Sequence, residues 1–148
     1  FMKQCAAGCL ACAAGVSAES ADSTKTDLSD LGVFTYCGHQ CTDDCVLLTA
    51  TRKNDIESKK KAYEMWSMKE RYGIEFDAGA VFCWGCKTAD KSHSAVIKNC
   101  DVRPCVIEKK YESCIQCDQI KDCDKELWTR FPQFRDYVVK LHEQYVEE

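Results

Sequence analysis

Hydrophobic positions recur at helical spacing over most of the chain after residue 32. The clearest case is a C-terminal stripe of aromatic and aliphatic residues: Phe134, Tyr137, Val138, Leu141 and Tyr145. This period predicts an amphipathic helix that packs on the core through the stripe. Pro132 suits the first turn of this last helix, where no backbone donor is needed.

Three further helices are predicted upstream. Asp55 suits the N-cap of a helix over residues 55–72, and Gly73 suits its stop. Its inward face is predicted to hold Ile56, Tyr63, Met65 and Trp66. The other two helices are predicted over residues 102–111 and 121–130. Runs of β-branched and aromatic residues are short, "GVFTY" at 32–36 and "AVFCW" at 80–84. We therefore expect a mainly α, small, cysteine-rich and metal-stapled helical domain with irregular loops.

The pattern changes in the first 32 residues. Residues 5–16 form an uncharged run of small and apolar residues that ends near Val16-Ser17-Ala18, as in an export signal. Phe1-Met2-Lys3 resembles the tail of a twin-arginine leader. The polar stretch "ESADSTKTDLSDLG" follows, typical of a linker. We expect a leader remnant at 1–18, a linker at 19–32 and a cysteine-rich domain at 33–148, in an exported or periplasmic protein; without a leader the location would be cytoplasmic.

Three cysteines lie in this leader: Cys5, Cys9 and Cys12. Their C-x-x-x-C-x-x-C spacing is also that of radical S-adenosylmethionine enzymes, but those enzymes need a far larger barrel. The segment could instead be a lipoprotein signal or an ordered part of the fold. We expect that these three cysteines lie outside the functional site.

Composition narrows the class of protein. The hydrophobic fraction of 45% includes all 13 cysteines, so the apolar core is thin, and thin cores usually need disulfides or metal. The net charge of -4 argues against a general nucleic-acid binder. No apolar run is long enough for a transmembrane helix.

The remaining ten cysteines are the candidate metal ligands: Cys37, Cys41, Cys45, Cys83, Cys86, Cys100, Cys105, Cys114, Cys117 and Cys123. They include two C-x-x-C pairs, "CWGC" at 83–86 and "CIQC" at 114–117, a spacing that lets one turn aim two thiolates at one ion. In the first group, Gly38 indicates that Cys37 lies in a turn, with Cys41 and Cys45 on the first turns of a helix.

The ordered groups "YCGHQC", "CWGC", "CDVRPC" and "CIQCDQIKDC" resemble domain-of-unknown-function family 3795 over roughly residues 36–126. The resemblance implies a small cysteine-rich protein of bacteria or archaea that binds metal, with no assigned activity. The chain differs from the family pattern in having three residues between Cys41 and Cys45, and Lys121-Asp122 before Cys123.

Zinc is the expected metal because it needs only tetrahedral thiolates, and an iron-sulfur cluster is the alternative cofactor. A secreted disulfide-stapled binding protein also stays open. A thioredoxin-like role for Cys83 is disfavoured because the polar loop "KTADKSHS" follows the motif. His39 is an alternative ligand, and several cations near the cysteines could offset thiolate charge: Lys87, Lys98, Arg103, Lys109 and Lys121.

No phosphate-binding glycine loop, zinc-protease motif or serine elbow occurs, so we expect no enzyme activity. The basic run "RKNDIESKKK" is interpreted as a solvated helix face. The aromatic stripe of the last helix is interpreted as core, and the competing interpretation is a surface for an unknown protein partner.

Overall fold

The computed structural model describes residues 25–147, and the predicted leader with Cys5, Cys9 and Cys12 lies outside them. Within the described chain there are seven α-helices: α1 Val46–Lys53, α2 Ile56–Met65, α3 Met68–Tyr72, α4 Ala95–Lys98, α5 Val102–Glu108, α6 Glu126–Arg130 and α7 Pro132–Glu147. Short 3₁₀ helices cover Leu31–Val33, Cys114–Gln116 and Ile120–Asp122. An isolated antiparallel bridge joins Phe34 to Gln40, and residues 25–147 contain no β-strand. The prediction of a mainly α fold is confirmed.

The helix predicted over residues 55–72 begins and ends as expected but is broken in the middle. The Asp55 carboxylate accepts a hydrogen bond from the Ser58 amide at 3.1 Å, and Gly73 follows α3 with φ +65°. Between α2 and α3, Ser67 takes a left-handed conformation with φ +48°, which interrupts the helix.

The inward face of α2 also differs from the prediction. Lys59 and Ala62 are its buried residues, and Tyr63 and Trp66 pack beside them. Ile56 and Met65 are 55% and 60% exposed, so their predicted burial is wrong. Ile56 occupies the open first turn of the helix, and Met65 falls outside the buried stripe.

The two helices predicted next are both shorter than expected. α5 ends at Glu108 because Lys110 takes a left-handed conformation, with φ +58°, and the Tyr111 amide bonds back to the Val106 carbonyl. The segment predicted as one helix over 121–130 divides into a 3₁₀ turn at Ile120–Asp122 and α6, with Cys123 extended between them. The second interruption contains Cys123.

The apolar residues form two clusters. The larger packs α5, α6 and α7 around residues from both ends of the described chain: Leu28, Leu31, Phe34, Val102, Val106, Cys114, Ile115, Ile120, Trp128, Val138 and Leu141. Leu28 and Leu31 belong to the segment 19–32, so part of that polar stretch packs into the core. The smaller cluster joins α1, α2 and α3 through Leu47, Ala62, Met68 and Val81.

The last helix packs largely as its stripe predicts. Pro132 is its first residue, and Val138 and Leu141 are buried. Phe134 and Tyr145 pack partly buried against the larger cluster, whereas Tyr137 is 41% exposed and does not share their burial. Across residues 25–147 no helix combines the length and apolar character needed to cross a bilayer.

Candidate metal centre

Four of the ten candidate cysteines line one cavity of about 500 Å³ and are called the four-cysteine pocket: Cys105, Cys114, Cys117 and Cys123. Cys105 lies on α5, and Cys114 opens the 3₁₀ turn Cys114–Gln116. Cys117 follows that turn, and Cys123 follows the next one, Ile120–Asp122. A helix and two tight turns therefore bring four thiols to the same opening.

Main-chain hydrogen bonds shape the turn that carries Cys114 and Cys117. The Cys117 amide donates to the Cys114 carbonyl at 3.0 Å, and the Ile120 amide donates to the Cys117 carbonyl at 3.0 Å. On the other side, the Cys114 amide donates to the Tyr36 carbonyl at 2.8 Å. The C-x-x-C spacing thus forms the compact turn expected from its sequence.

The pocket has a cation in contact with sulfur. Lys109 Nζ lies 3.5 Å from Cys117 Sγ and donates to Gln119 Oε1 at 2.8 Å. Its hydrogen bond to Cys117 raises the pKa of Lys109, so the ammonium form is favoured. Lys125 also lines the pocket. Of the cations proposed from the sequence, Lys109 is therefore placed where it can offset thiolate charge.

The buried Cys114 thiol of the pocket resists ionisation, because its pKa is raised. Burial raises the pKa of Cys114, and the charges of nearby Cys37, Cys117, Cys123 and Cys105 raise it further. A cation among the sulfurs would reverse this balance, because it stabilises the deprotonated thiols.

The other six cysteines interact with one another and are called the six-cysteine group: Cys37, Cys41, Cys45, Cys83, Cys86 and Cys100. Burial raises the pKa of Cys37, and the charges of Cys100 and Cys86 add to the shift. Burial likewise raises the pKa of Cys83, with further contributions from Cys45 and Cys86. These pairwise interactions, together with those of Cys41 with Cys45, Cys83 and Cys86, link the six thiols to one another.

Two hydrogen bonds to sulfur mark this group. The Gly85 amide donates to Cys83 Sγ at 3.3 Å, which is possible because Gly85 takes φ +90°. The Cys37 thiol is hydrogen-bonded to the Thr35 hydroxyl at 3.2 Å. Thr51 of α1 fixes the loop by accepting a hydrogen bond from the Cys83 amide at 3.0 Å. Amide donors pointing at sulfur favour thiolate over thiol.

Cys37 lies in a turn as predicted, but Cys41 and Cys45 do not lie on a helix, contrary to the prediction. α1 begins only at Val46, so Cys45 occupies its N-cap position and Cys41 lies in the preceding loop. The Cys45 amide bonds to the Thr42 carbonyl at 3.1 Å, which closes a turn over the two intervening aspartates instead of a helical turn. Cys41 is the exposed member of the ten.

None of the ten cysteines from Cys37 to Cys123 is in a disulfide. Among residues 25–147, no three Cys, His, Asp or Glu side chains already converge closely enough to hold a metal ion. His39, the alternative ligand, is exposed and faces the Phe134 ring at 6.3 Å. The fold brings the thiols near one another, and binding an ion would require them to move closer together.

His142 is a buried polar residue beside the pocket that the sequence analysis did not single out. Its Nδ1 lies 2.8 Å from the carbonyl oxygen of Ile115, between Cys114 and Cys117. A signal was present in the sequence, since His142 follows Val138 by four residues and precedes Tyr145 by three, on the predicted inward face.

A family model described as "Protein of unknown function (DUF3795)" matches residues 33–127. The match spans all ten cysteines from Cys37 to Cys123, confirms the resemblance noted in the sequence and stops before α7. No curated protein and no solved structure gives a significant match to the chain.

Proposed function

Because the chain belongs to the DUF3795 family of proteins of unknown function, we propose its role from its own residues: a metal-binding domain in which cysteine thiolates hold structural zinc. The observation that carries the proposal is the four-cysteine pocket, where four thiols line one cavity with Lys109 beside Cys117. The two C-x-x-C pairs, Cys83–Cys86 and Cys114–Cys117, support the proposal over a disulfide scaffold, because pairs of metal ligands commonly have this spacing.

The donor set fits zinc in its chemistry. Structural zinc sites take four thiolates at about 2.3 Å, which sets the sulfurs about 3.8 Å apart. Closing the pocket to that spacing requires the four sulfurs to move closer together than they are in this structure. Four thiolates on a divalent ion carry a charge of about -2, and Lys109 and Lys125 lie on the pocket wall to balance part of it.

A structural role suits the way the pocket is built. Cys105 belongs to α5, whereas the other three cysteines belong to short turns with few residues in regular helix. Joining these segments through one ion would convert binding energy into folding energy, with apparent values of roughly 10 to 16 kcal/mol for structural zinc. Because the apolar core is thin, the domain would need this additional stabilisation to fold.

An iron-sulfur cluster is the second candidate, and the size of the pocket favours it. The cavity of about 500 Å³ is larger than a single ion needs, and clusters are also held by cysteine thiolates. Elemental analysis after anaerobic purification separates the two. Iron with acid-labile sulfide and visible absorbance would identify a cluster, whereas zinc in a colourless protein supports the first candidate.

The experiment that tests the proposal replaces one sulfur in each cysteine group. We expect Cys117→Ser and Cys86→Ser each to lower the zinc content and the melting temperature, because each removes a ligand from a staple. Ser92→Ala, at an exposed position, is the control and should keep both values. Unchanged metal content in both cysteine variants would overturn the proposal.

A further inference from the structure

We propose that His142 of α7 is a positioning residue for the four-cysteine pocket: its imidazole fixes the Cys114–Cys117 turn so that both sulfurs face the cavity. The inference rests on the proposed function, because it assigns a role toward the bound metal. It concerns a helix that lies outside the residues matched to the family.

The central contact is a hydrogen bond to the middle of the turn. His142 is 8% exposed, and its Nδ1 lies 2.8 Å from the Ile115 carbonyl oxygen. A carbonyl only accepts, so Nδ1 carries the proton and donates. Ile115 is fully buried, and its carbonyl has no route to water when His142 is in place. Losing the donor would leave a buried acceptor unpaired, which strains the turn.

The second ring nitrogen faces the end of the same turn. His142 Nε2 lies 3.8 Å from Asp118 Oδ1, and Asp118 directly follows Cys117 and lines the pocket. His142 therefore meets the chain at two points that flank Cys117. The restraint on the turn comes from the hydrogen bond to Ile115, since the Asp118 carboxylate lies beyond hydrogen-bond distance of Nε2 and is 89% exposed.

Other side chains of α7 hold the same segment. Gln116 Nε2 donates to the Tyr145 hydroxyl at 3.4 Å, and Lys121 pairs with Glu143 at 2.7 Å. On the inner side, Val138 is buried against the turn. α7 thus contacts the chain repeatedly between Cys114 and Cys123, and His142 supplies the buried polar contact.

An aliphatic residue could fill the position of His142 on α7 without the cost of burying a polar ring. The neighbouring buried positions of α7 are the aliphatic Val138 and Leu141. Burying a polar ring costs free energy unless its donors and acceptors are paired. The hydrogen bond to the turn offsets the cost of burying the imidazole. This hydrogen bond therefore explains why a histidine occupies the position. Residues that orient ligands typically change metal affinity by about 10- to 100-fold when replaced.

Two replacements separate the hydrogen bond from the volume of the side chain, because one keeps the volume and the other keeps a donor. His142→Leu removes the donor, whereas His142→Asn keeps an N–H group at the position of Nδ1. Hydrogen exchange measured by mass spectrometry on the protein as purified reports the turn directly. We expect faster exchange in residues 112–123 for His142→Leu, no change in residues 81–88, and substantial recovery in His142→Asn.

Cobalt binding is then measured through the sulfur-to-metal charge-transfer absorbance of thiolate sites. We expect His142→Leu to weaken cobalt binding by about 10- to 100-fold, with partial rescue in His142→Asn. Leu141→Ala is the control for general damage to α7, because it removes buried packing and leaves the hydrogen bond. At a matched loss of melting temperature, it should weaken cobalt binding less than His142→Leu.

The outcomes separate the two proposals. A wild-type protein that gives no thiolate-cobalt absorbance contradicts the proposed function, whatever the variants show. Unchanged exchange in residues 112–123 for His142→Leu overturns the positioning role, with or without metal. Equal loss of cobalt affinity in Leu141→Ala and His142→Leu also overturns it, because packing alone would then explain the effect.

Discussion

Lys109 places a positive charge next to a thiol of the four-cysteine pocket. Its ammonium group reaches Cys117 Sγ and is held in place by Gln119. We predict that Lys109→Met weakens zinc binding, because the variant keeps a similar stem and loses the charge next to sulfur. The loss should be smaller than the about 10- to 100-fold change typical of ligand-orienting residues, because Lys109 is exposed to solvent and salt.

The measurement is a zinc competition titration with a chromophoric chelator. Lys60→Met on the exposed side of α2 is the matched control, since it removes the same charge away from the pocket. Equal zinc affinity in wild type and Lys109→Met would show that the charge of Lys109 does not contribute to zinc binding. The salt dependence should also flatten in Lys109→Met and stay unchanged in Lys60→Met.

The raised pKa of the Cys41 thiol predicts that the stability of the metal-free protein depends on pH. Although the residue is exposed, partial burial of the thiol and the nearby Cys45, Cys83 and Cys86 raise its pKa to about 11. In the unfolded chain the cysteine thiol has a pKa of about 8.5. The folded chain therefore binds this proton more tightly. Its contribution to stability is present below about pH 8.5 and is lost as the pH rises toward about 11.

We therefore predict that the urea midpoint of reduced, metal-free protein falls between about pH 8 and pH 10.5. Cys41→Ser should reduce this fall without abolishing it, because burial also raises the pKa values of Cys37, Cys83, Cys86 and Cys114. A midpoint that stays constant or rises over this range would contradict the assigned shifts.

Residue identity carried most of the information about candidate ligands, but little about their partners. The ten cysteines stand out by type, and the C-x-x-C turn at Cys114 has the compact form its spacing predicts. The link between Lys109 and Cys117 spans eight residues and a left-handed turn at Lys110, which no local pattern predicts. His142 meets Ile115 only through tertiary packing of α7.

At the scale of elements, the close approach of α7 to the cysteine turns depends on one glycine. Gly38 has φ +91°, and a Cβ there would lie 3.1 Å from both Val138 methyl groups and 3.4 Å from Ile115 Cγ1. Gly38 therefore allows the turn after Cys37 to meet both α7 and the Cys114–Cys117 turn. A side chain at this position would meet steric crowding as well as backbone strain.

We predict that Gly38→Ala lowers the free energy of unfolding by about 1 to 3 kcal/mol from backbone strain, with overpacking adding to the loss. Gly85→Ala is the matched control, because Gly85 has φ +90° and no atom within 4 Å of its added Cβ. Chemical unfolding of both variants isolates the packing contribution. Equal losses of unfolding free energy in the two variants would show that α7 moves to accommodate the added methyl group. The close packing at Gly38 would then not contribute to stability.

Helix ends were easier to predict than helix continuity. Asp55, Gly73 and Pro132 act at the ends that their chemistry indicates. The break at Ser67 has no local signal, because serine and its neighbours are compatible with a continuous helix. The smaller apolar cluster, which seats Met68 and Trp66, explains why the chain turns there. Tertiary packing thus overrides local preference in this segment.

At the scale of the whole molecule, the cysteines connect two small apolar clusters. Cys37, Cys100 and Cys123 pack against the larger cluster, and Cys45 and Cys83 against the smaller one. Cys86 interacts electrostatically with both Cys83 and Cys100, between these sets. Metal bound in the six-cysteine group would therefore join the clusters, and metal in the four-cysteine pocket would fasten the turns under α7.

Native mass spectrometry of the protein purified without chelators tests whether these thiols bind metal. We predict a mass above that of the metal-free chain by bound zinc less the protons released on thiolate formation. After denaturation with chelator and without reductant, the cysteines from Cys37 to Cys123 should all react with an alkylating reagent. A metal-free mass together with thiols that react only after reduction would contradict the account.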